Sequence, residues 1–394
     1  MTVRRLLALV ALALCGLVAL APAAGADPAK PGNYRSKVLC VVRAPAPQAE
    51  APTCADSVDV PITAKVVGGD GFLDLTVEEG HTVDIPGYTG EPWLRIDAHG
   101  KVEENQASSA TYLNQSRFGS SENTDIPNWV TIEGATKNPQ WKTLGHGGNY
   151  VWHDHRIHYM TPQIEPTQVP GTNRVMISDR DDGLWYVPLT VDGTDYQVLG
   201  ELREFPAPSP LPQWGLAVLV FVLLGGAGLI LHEPAGRIAA GALVVVGGLA
   251  LWAGASELAA VPALAGGNPI WVALPVVCVV LALGALVLRS GAARAIAVLA
   301  AAAALGVWAV LRVPAFDKAV PLGSLDPTFT RSIIAASLGT AAGSIVAAIA
   351  SGGLALRLVD LDDDDDDDGV ADGDGGVIAA PGDAGASESS TPAG

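Results

Sequence analysis

The chain changes character where its hydrophobic pattern changes. Up to about residue 204 the apolar positions form short alternating runs, and beyond Trp214 they form long unbroken ones. Residues 72–77 alternate, Glu79-Gly80 supplies a turn, and residues 82–85 alternate again. A period of two is that of half-buried strands. Segments 186–191 and 194–202 are joined by Asp192-Gly193, a dipeptide suited to a two-residue hairpin. No helical periodicity of comparable quality runs between Val58 and Leu202. Short strands, frequent Gly and Pro, and the tryptophans Trp93, Trp129, Trp141, Trp152 and Trp185 predict an all-β sandwich over residues 27–204, cupredoxin- or immunoglobulin-like, with an aromatic core.

Five apolar stretches follow, at 214–231, 238–255, 270–288, 295–311 and 333–356. Each approaches or exceeds the ~20 residues that cross a bilayer, which predicts a C-terminal five-helix transmembrane bundle over 214–357. None carries an ionisable group well inside, whereas ion-coupled carriers place such groups at mid-membrane. In the last stretch Ala335, Gly339, Gly343 and Ala347 recur every four residues, a small-residue face for close helix contact, most simply inside the bundle itself. Alternating prolines, Pro206, Pro208, Pro210 and Pro212, make 205–213 a stiff extended linker.

The ends fix the expected topology. Arg4-Arg5, an apolar run and Ala24-Gly25-Ala26 read as a signal peptide over residues 1–26. A cleaved signal places the β domain outside a plasma membrane, and an odd number of spans leaves the C-terminus in the cytoplasm. Arg237, Arg289, Arg294 and Arg357 then lie at cytoplasmic ends, a mild positive-inside bias. Much of the formal net charge of −18 sits in the tail, 358–394, which has the acidic run 362–368 and is expected to be disordered. Outside the cell Cys40 and Cys54 suit a disulfide across a short Pro/Ala-rich loop, while Cys278 reads as a packing residue. Basic residues are sparse and unclustered, so no nucleic-acid partner is expected.

The chemistry concentrates in residues 146–160, which hold four of the chain's seven histidines. On a strand His153 and His155 share a face and His158 and Met160 take the other, and a bend or strand end near Arg156 would bring all four to one rim. His146, before the flexible Gly147-Gly148, is a candidate further ligand. Imidazoles with a thioether suit copper rather than calcium or magnesium. The competing structural account makes Asp154 and Arg156 a charge pair, has the histidines hydrogen-bond across a turn, and has Trp152, Tyr159 and Met160 simply pack. His81 and His99 read as surface or turn residues.

Tyr150-x-Trp152-His153-x-His155 resembles the aromatic-then-His-x-His strand of cupredoxin-like domains in multicopper oxidases, over about ten residues. There is no second His-x-His motif and no His-Cys-His segment, so the resemblance implies neither an electron-transfer centre nor an oxygen-reducing cluster. The layout, including the string Asp154-His155-Arg156-x-His158-aromatic-Met160, is similar to that of uncharacterised actinobacterial exported membrane proteins, which implies an architecture and no activity. Three functions compete. One is a membrane-anchored extracytoplasmic protein handling copper through His153, His155, His158, Met160 and His146. The second is an envelope module that binds a protein partner and holds no metal, its histidines structural. The third, a hydrolase using His155 with Asp154, has least support because no nucleophile elbow or complete metal-hydrolase motif is present.

Overall fold

The structure, a computed structural model, describes residues 27–351 except 47, 48, 121, 123, 162 and 233. The expected signal peptide and acidic tail lie outside the described residues. Among the described residues eleven strands build an N-terminal antiparallel domain: β1 (Tyr34–Arg43), β2 (Ile62–Val67), β3 (Phe72–Val77), β4 (Val83–Pro86), β5 (Pro92–Ile96), β6 (Val102–Asn105), β7 (Trp141–Gly145), β8 (Asn149–His153), β9 (Arg174–Val175), β10 (Leu184–Val191) and β11 (Thr194–Glu204). One sheet runs β1-β11-β10-β4-β5-β6-β7 with β9 beside β11, and the other runs β2-β3-β8. The alternating segments are therefore strands, and Asp192 (φ 47°) with Gly193 (φ 78°) turns β10 into β11 with both central residues left-handed, as a type I′ hairpin requires. The loop between β6 and β7 adds two short helices, α1 (Ala110–Leu113) and α2 (Ile132–Lys137).

The sheets share one core. Leu73, Leu75 and Trp152 of the small sheet meet Val83, Ile85, Trp93, Trp185 and Val187 of the large one. Each buried indole removes on the order of 150–250 Å² from water. Trp129 is an exception to the expected aromatic core, being 56% exposed, and Trp141 lies at the edge beneath Arg95, whose Cζ sits 4.1 Å from its ring centre. Cys40 on β1 is bonded to Cys54, which opens a short 3-10 turn. Closing a loop of that length is worth about 3 kcal/mol of chain entropy.

Five apolar helices long enough to cross a membrane follow: α3 (Leu211–Leu231), α4 (Ala235–Ala260), α5 (Ile270–Val287), α6 (Gly291–Val310) and α7 (Pro327–Ala350). The linker is shorter than expected: Pro210 caps α3, whose first turn takes in Leu211–Gln213, because a proline ring is tolerated at a helix start. The small-residue face of α7 packs inside the bundle. A side chain at Gly339 would strike Ala217 and Val220, and one at Gly343 would strike Leu224, all on α3. Cys278 is buried on α5 against Gly247 of α4.

The helical half also covers part of the β domain. Val67, Phe72 and Val151, on the outer face of the small sheet, pack with Val261 and Ala265 from the α4–α5 connection. Ala29 N–H donates to the Ala265 carbonyl, and Gly32 pairs with Val320. The alternation that sends Trp152 into the sandwich core sends Val151 and His153 towards this junction.

Candidate metal centre

The sequence from Trp152 to His158 forms a strand end followed by a tight turn, and the turn explains the histidine geometry. β8 stops at His153, opposite Phe72 of β3, earlier than the expected bend near Arg156. Asp154 then caps a single 3-10 turn, His155–Ile157, by accepting a hydrogen bond from Arg156 N–H at 3.0 Å. A short carboxylate at a helix start satisfies backbone donors that have no partner inside the helix. Asp154 is fully buried and takes three further hydrogen bonds, from Trp152 Nε1 at 2.8 Å, Arg156 Nε at 2.8 Å and Arg156 Nη2 at 2.7 Å. Arg156 Nη1 also donates to the Pro86 carbonyl, and Ile157 plugs the turn into the core. Arg156 and these hydrogen bonds overcome the burial cost and hold the Asp154 carboxyl down at about 2.

The charge pair foreseen for Asp154 and Arg156 is thus present, and it acts as the frame of the turn. It also removes Asp154 as a base for His155, since both carboxylate oxygens are already engaged.

On that frame His153, His155 and His158 converge, with one ring nitrogen from each within 4.8 Å of those of the others. Their ring centres are 4.7 Å (His153–His158), 5.4 Å (His153–His155) and 5.5 Å (His155–His158) apart. The period-two face sharing expected for an uninterrupted strand is replaced by a strand end and a 3-10 turn, which carry His158 to the same point as the other two.

The hydrogen bonds fix which nitrogens are free. A carbonyl can only accept, so His155 Nε2, 2.9 Å from the Ser116 carbonyl, carries the proton and leaves Nδ1 with a lone pair. The same logic places the proton of His158 on Nδ1, 3.2 Å from the Tyr159 carbonyl. Among the described residues His158 Nε2 is buried with no hydrogen-bond partner, and neither ring nitrogen of His153 makes a hydrogen bond of good geometry, the Arg117 carbonyl being only a weak acceptor beside that ring. Metal-binding histidines commonly donate their other ring N–H to a backbone carbonyl, which orients the ring.

Burial is the largest influence on all three rings, and it disfavours the charged form. It lowers His153 to about 4, with His155 and Arg117 adding repulsion. It lowers His155 and takes His158 well below the ordinary histidine range, the latter with repulsion from His153 and Arg117. The cluster is therefore three neutral imidazoles at neutral pH, the state in which imidazole binds metals. Tyr88 stacks on His155, Phe72 meets His153 edge-on and Phe118 does the same to His158, so the rings stand in an aromatic sleeve. A cavity of about 360 Å³, lined by Tyr34, Asp70, Phe72, Arg117 and Phe118 among others, opens onto His153. Arg117 is paired with Asp70 at 2.6 Å across its wall.

The other proposed ligands fare differently. His146 is exposed in the β7–β8 turn, at the far end of β8 from His153, and four residues of strand separate the two ends by ~14 Å. The glycines that were to let it swing instead tie the turn down, with Gly148 N–H bonded to the Gly100 carbonyl and Val77 N–H to that of Gly148. Met160 is half-buried two residues beyond His158. His81 pairs with Asp192 near the hairpin and His99 is exposed in a turn, as expected of surface histidines. Sequence reading missed Ser116, Arg117, Tyr88 and Phe118. Ser116, Arg117 and Phe118 are consecutive on the β6–β7 loop and Tyr88 lies on the β4–β5 loop, and neither loop has a spacing relation to the histidines.

Fold and cluster define a membrane-embedded chain whose β domain holds a tri-histidine group at its junction with the helices. Comparison with protein-family models, curated proteins and solved structures finds no match to this chain.

Proposed function

We propose that the protein is a membrane-anchored, extracytoplasmic copper-binding protein that holds the ion on His153, His155 and His158, with Met160 as a soft fourth ligand. The observation that carries this reading is the convergence of three neutral imidazoles, two buried and that of His155 half-buried, whose ring nitrogens include three with no hydrogen-bond partner of good geometry among the described residues. Leaving such atoms unsatisfied costs about 1–3 kcal/mol each, and a bound ion removes that cost for one lone pair on His153 and one on His158, while the N–H of His153 stays a donor. Metal–nitrogen bonds of about 2 Å, as at tetrahedral zinc, put ligand atoms ~3.3 Å apart, so nitrogens that already lie within 4.8 Å of one another need close by no more than ~1.5 Å. Imidazole suits several transition metals, but copper heads the affinity order for divalent ions at a nitrogen site, and no carboxylate joins the cluster to favour calcium or magnesium. Asp154 beside the cluster and Asp70 in the wall of the adjoining cavity are already paired with Arg156 and Arg117, so neither carboxylate is free to act as a further ligand. The Cys40–Cys54 disulfide supports an oxidising compartment for the β domain.

The test uses the full chain in detergent, stripped with a chelator and titrated with Cu(I), Cu(II) and zinc against competing chelators. One equivalent of copper bound by the wild type and lost in His158→Ala supports the reading. No copper uptake by a folded wild-type protein would sink it. A second reading, an envelope-binding module, draws on Trp129 and Ile132, which are 56% and 57% exposed around α2 and offer an apolar contact on the β domain.

A further inference from the structure

The helical half holds a second cavity, of about 510 Å³, on the side of the bundle that carries the β domain. Its volume is within the range of small-molecule sites. Its walls are largely apolar and include Val261, Trp271, Leu322 and Ile334. Its charged lining is asymmetric, with Lys30, Arg312 and Lys318 set against the single carboxylate of Glu257. Arg312, just beyond the end of α6, is the unusual member. Its side chain is 9% exposed, and the guanidinium lies 4.9 Å from the Trp271 ring centre and 4.8 Å from that of Trp308. Nη2 is paired with Glu257, and Nη1 is buried with no hydrogen-bond partner among the described residues. Two indoles and a carboxylate therefore hold this donor rigidly at the wall of a greasy cavity. A buried charged donor is costly unless an acceptor completes it.

We propose that this cavity binds one anionic amphiphile, its phosphate or carboxylate oxygens on Arg312 Nη1 with Lys30 and Lys318 nearby, its apolar chain against Val261, Trp271, Leu322 and Ile334. Glu257 has two roles: it fixes the guanidinium, and it limits the head to one that the lysines can help neutralise. The headgroup of a membrane phospholipid and a free fatty acid share this chemistry, and the experiment separates them.

Full-length protein in detergent is analysed by native mass spectrometry while phosphatidylglycerol, phosphatidylcholine or oleate is added. One phosphatidylglycerol per chain is expected, held about tenfold or more tightly than phosphatidylcholine: both carry a phosphate that Arg312 can hold, but the choline cation of the second cancels its charge and is repelled by Lys30, Arg312 and Lys318. Oleate binding with the same preference makes any anionic amphiphile the ligand, and its failure to bind while phosphatidylglycerol binds assigns the site to the lipid headgroup. Arg312→Gln is expected to abolish the preference. Leu322→Trp fills the cavity while leaving the Arg312–Glu257 pair intact, and it should remove binding even if the first variant misfolds. Equal retention of the two phospholipids by the wild type overturns the proposal, as does an undiminished preference in folded Leu322→Trp. Copper binding at the histidines is untouched by either result.

Discussion

Two polar clusters lie within seven residues of each other in the chain, and they are built in opposite ways. Around Asp154 every acceptor is used: the carboxylate takes four hydrogen bonds from Trp152 and Arg156 and has no capacity left for a ligand. Around His153 and His158 three ring nitrogens are buried without a hydrogen-bond partner of good geometry among the described residues, although the rings are packed by aromatic side chains. Both clusters are buried, so burial does not tell them apart; the difference is whether the hydrogen bonds are complete. The complete cluster holds the shape of the turn, and the incomplete one is where a ligand has something to add.

The largest effect expected from this contrast is on the framework. Asp154→Ala leaves the Arg156 guanidinium buried without its carboxylate, which should cost roughly 3–5 kcal/mol of stability. Thermal unfolding of the full chain in detergent measures it. A loss below about 1 kcal/mol would mean that the turn is held by something other than this pair.

Next in size is the pH dependence of the metal-free protein. His153 titrates near 4 in the fold against about 6.5 unfolded, so between those values the unfolded chain binds the proton and the folded one does not. Stability is therefore full above about 6.5 and falls as pH drops towards 4, by about 3 kcal/mol from this ring alone. His155 and His158 act in the same direction. The Asp154 carboxyl, held at about 2, is lost only at lower pH. His153→Leu should flatten the slope between pH 6.5 and 4; an unchanged slope would place the proton uptake elsewhere.

The same variant separates ligand from scaffold. Replacing a buried, unsatisfied imidazole by an apolar side chain of similar size removes a desolvation cost, so metal-free His153→Leu should be as stable as wild type or more so at pH 7.5. Its copper affinity should fall by about 100-fold or more, beyond what loss of a supporting residue produces. A structural histidine would reverse the pattern, with stability lost and affinity immaterial.

Much of this architecture was legible because it rests on periodicity. The strands at 72–77 and 186–202 and the five spans appear where the hydrophobic pattern puts them, since a period of two and a run of ~20 apolar residues each have a single easy structural solution. The site was half legible. Imidazole density singled out His153, His155 and His158, but their convergence depends on Asp154 ending the strand, and a side chain that can equally form a surface salt bridge does not announce itself as a buried cap. Arg117 and Ser116 reach the rings through tertiary folding alone. Trp129 was misplaced in the core because composition counts an indole without knowing that its loop faces solvent.

The smallest effects concern the two outlying candidates. Met160→Leu keeps the volume and removes only the thioether, so it should weaken Cu(I) by about tenfold at most and leave Cu(II) nearly unchanged, because sulfur favours the softer ion. Equal loss for both ions would make the effect one of packing. His146→Ala should do less still. The residue is exposed, and the turn that bears it is anchored to Gly100 and Val77 at the opposite end of β8. Bringing its imidazole to the cluster would mean breaking those backbone bonds and stripping β8 from β3, at a cost well above the gain from a fourth nitrogen. Stability should change by less than about 0.5 kcal/mol, with copper affinity unaltered. A tenfold affinity loss in His146→Ala would show that β8 detaches when the metal binds.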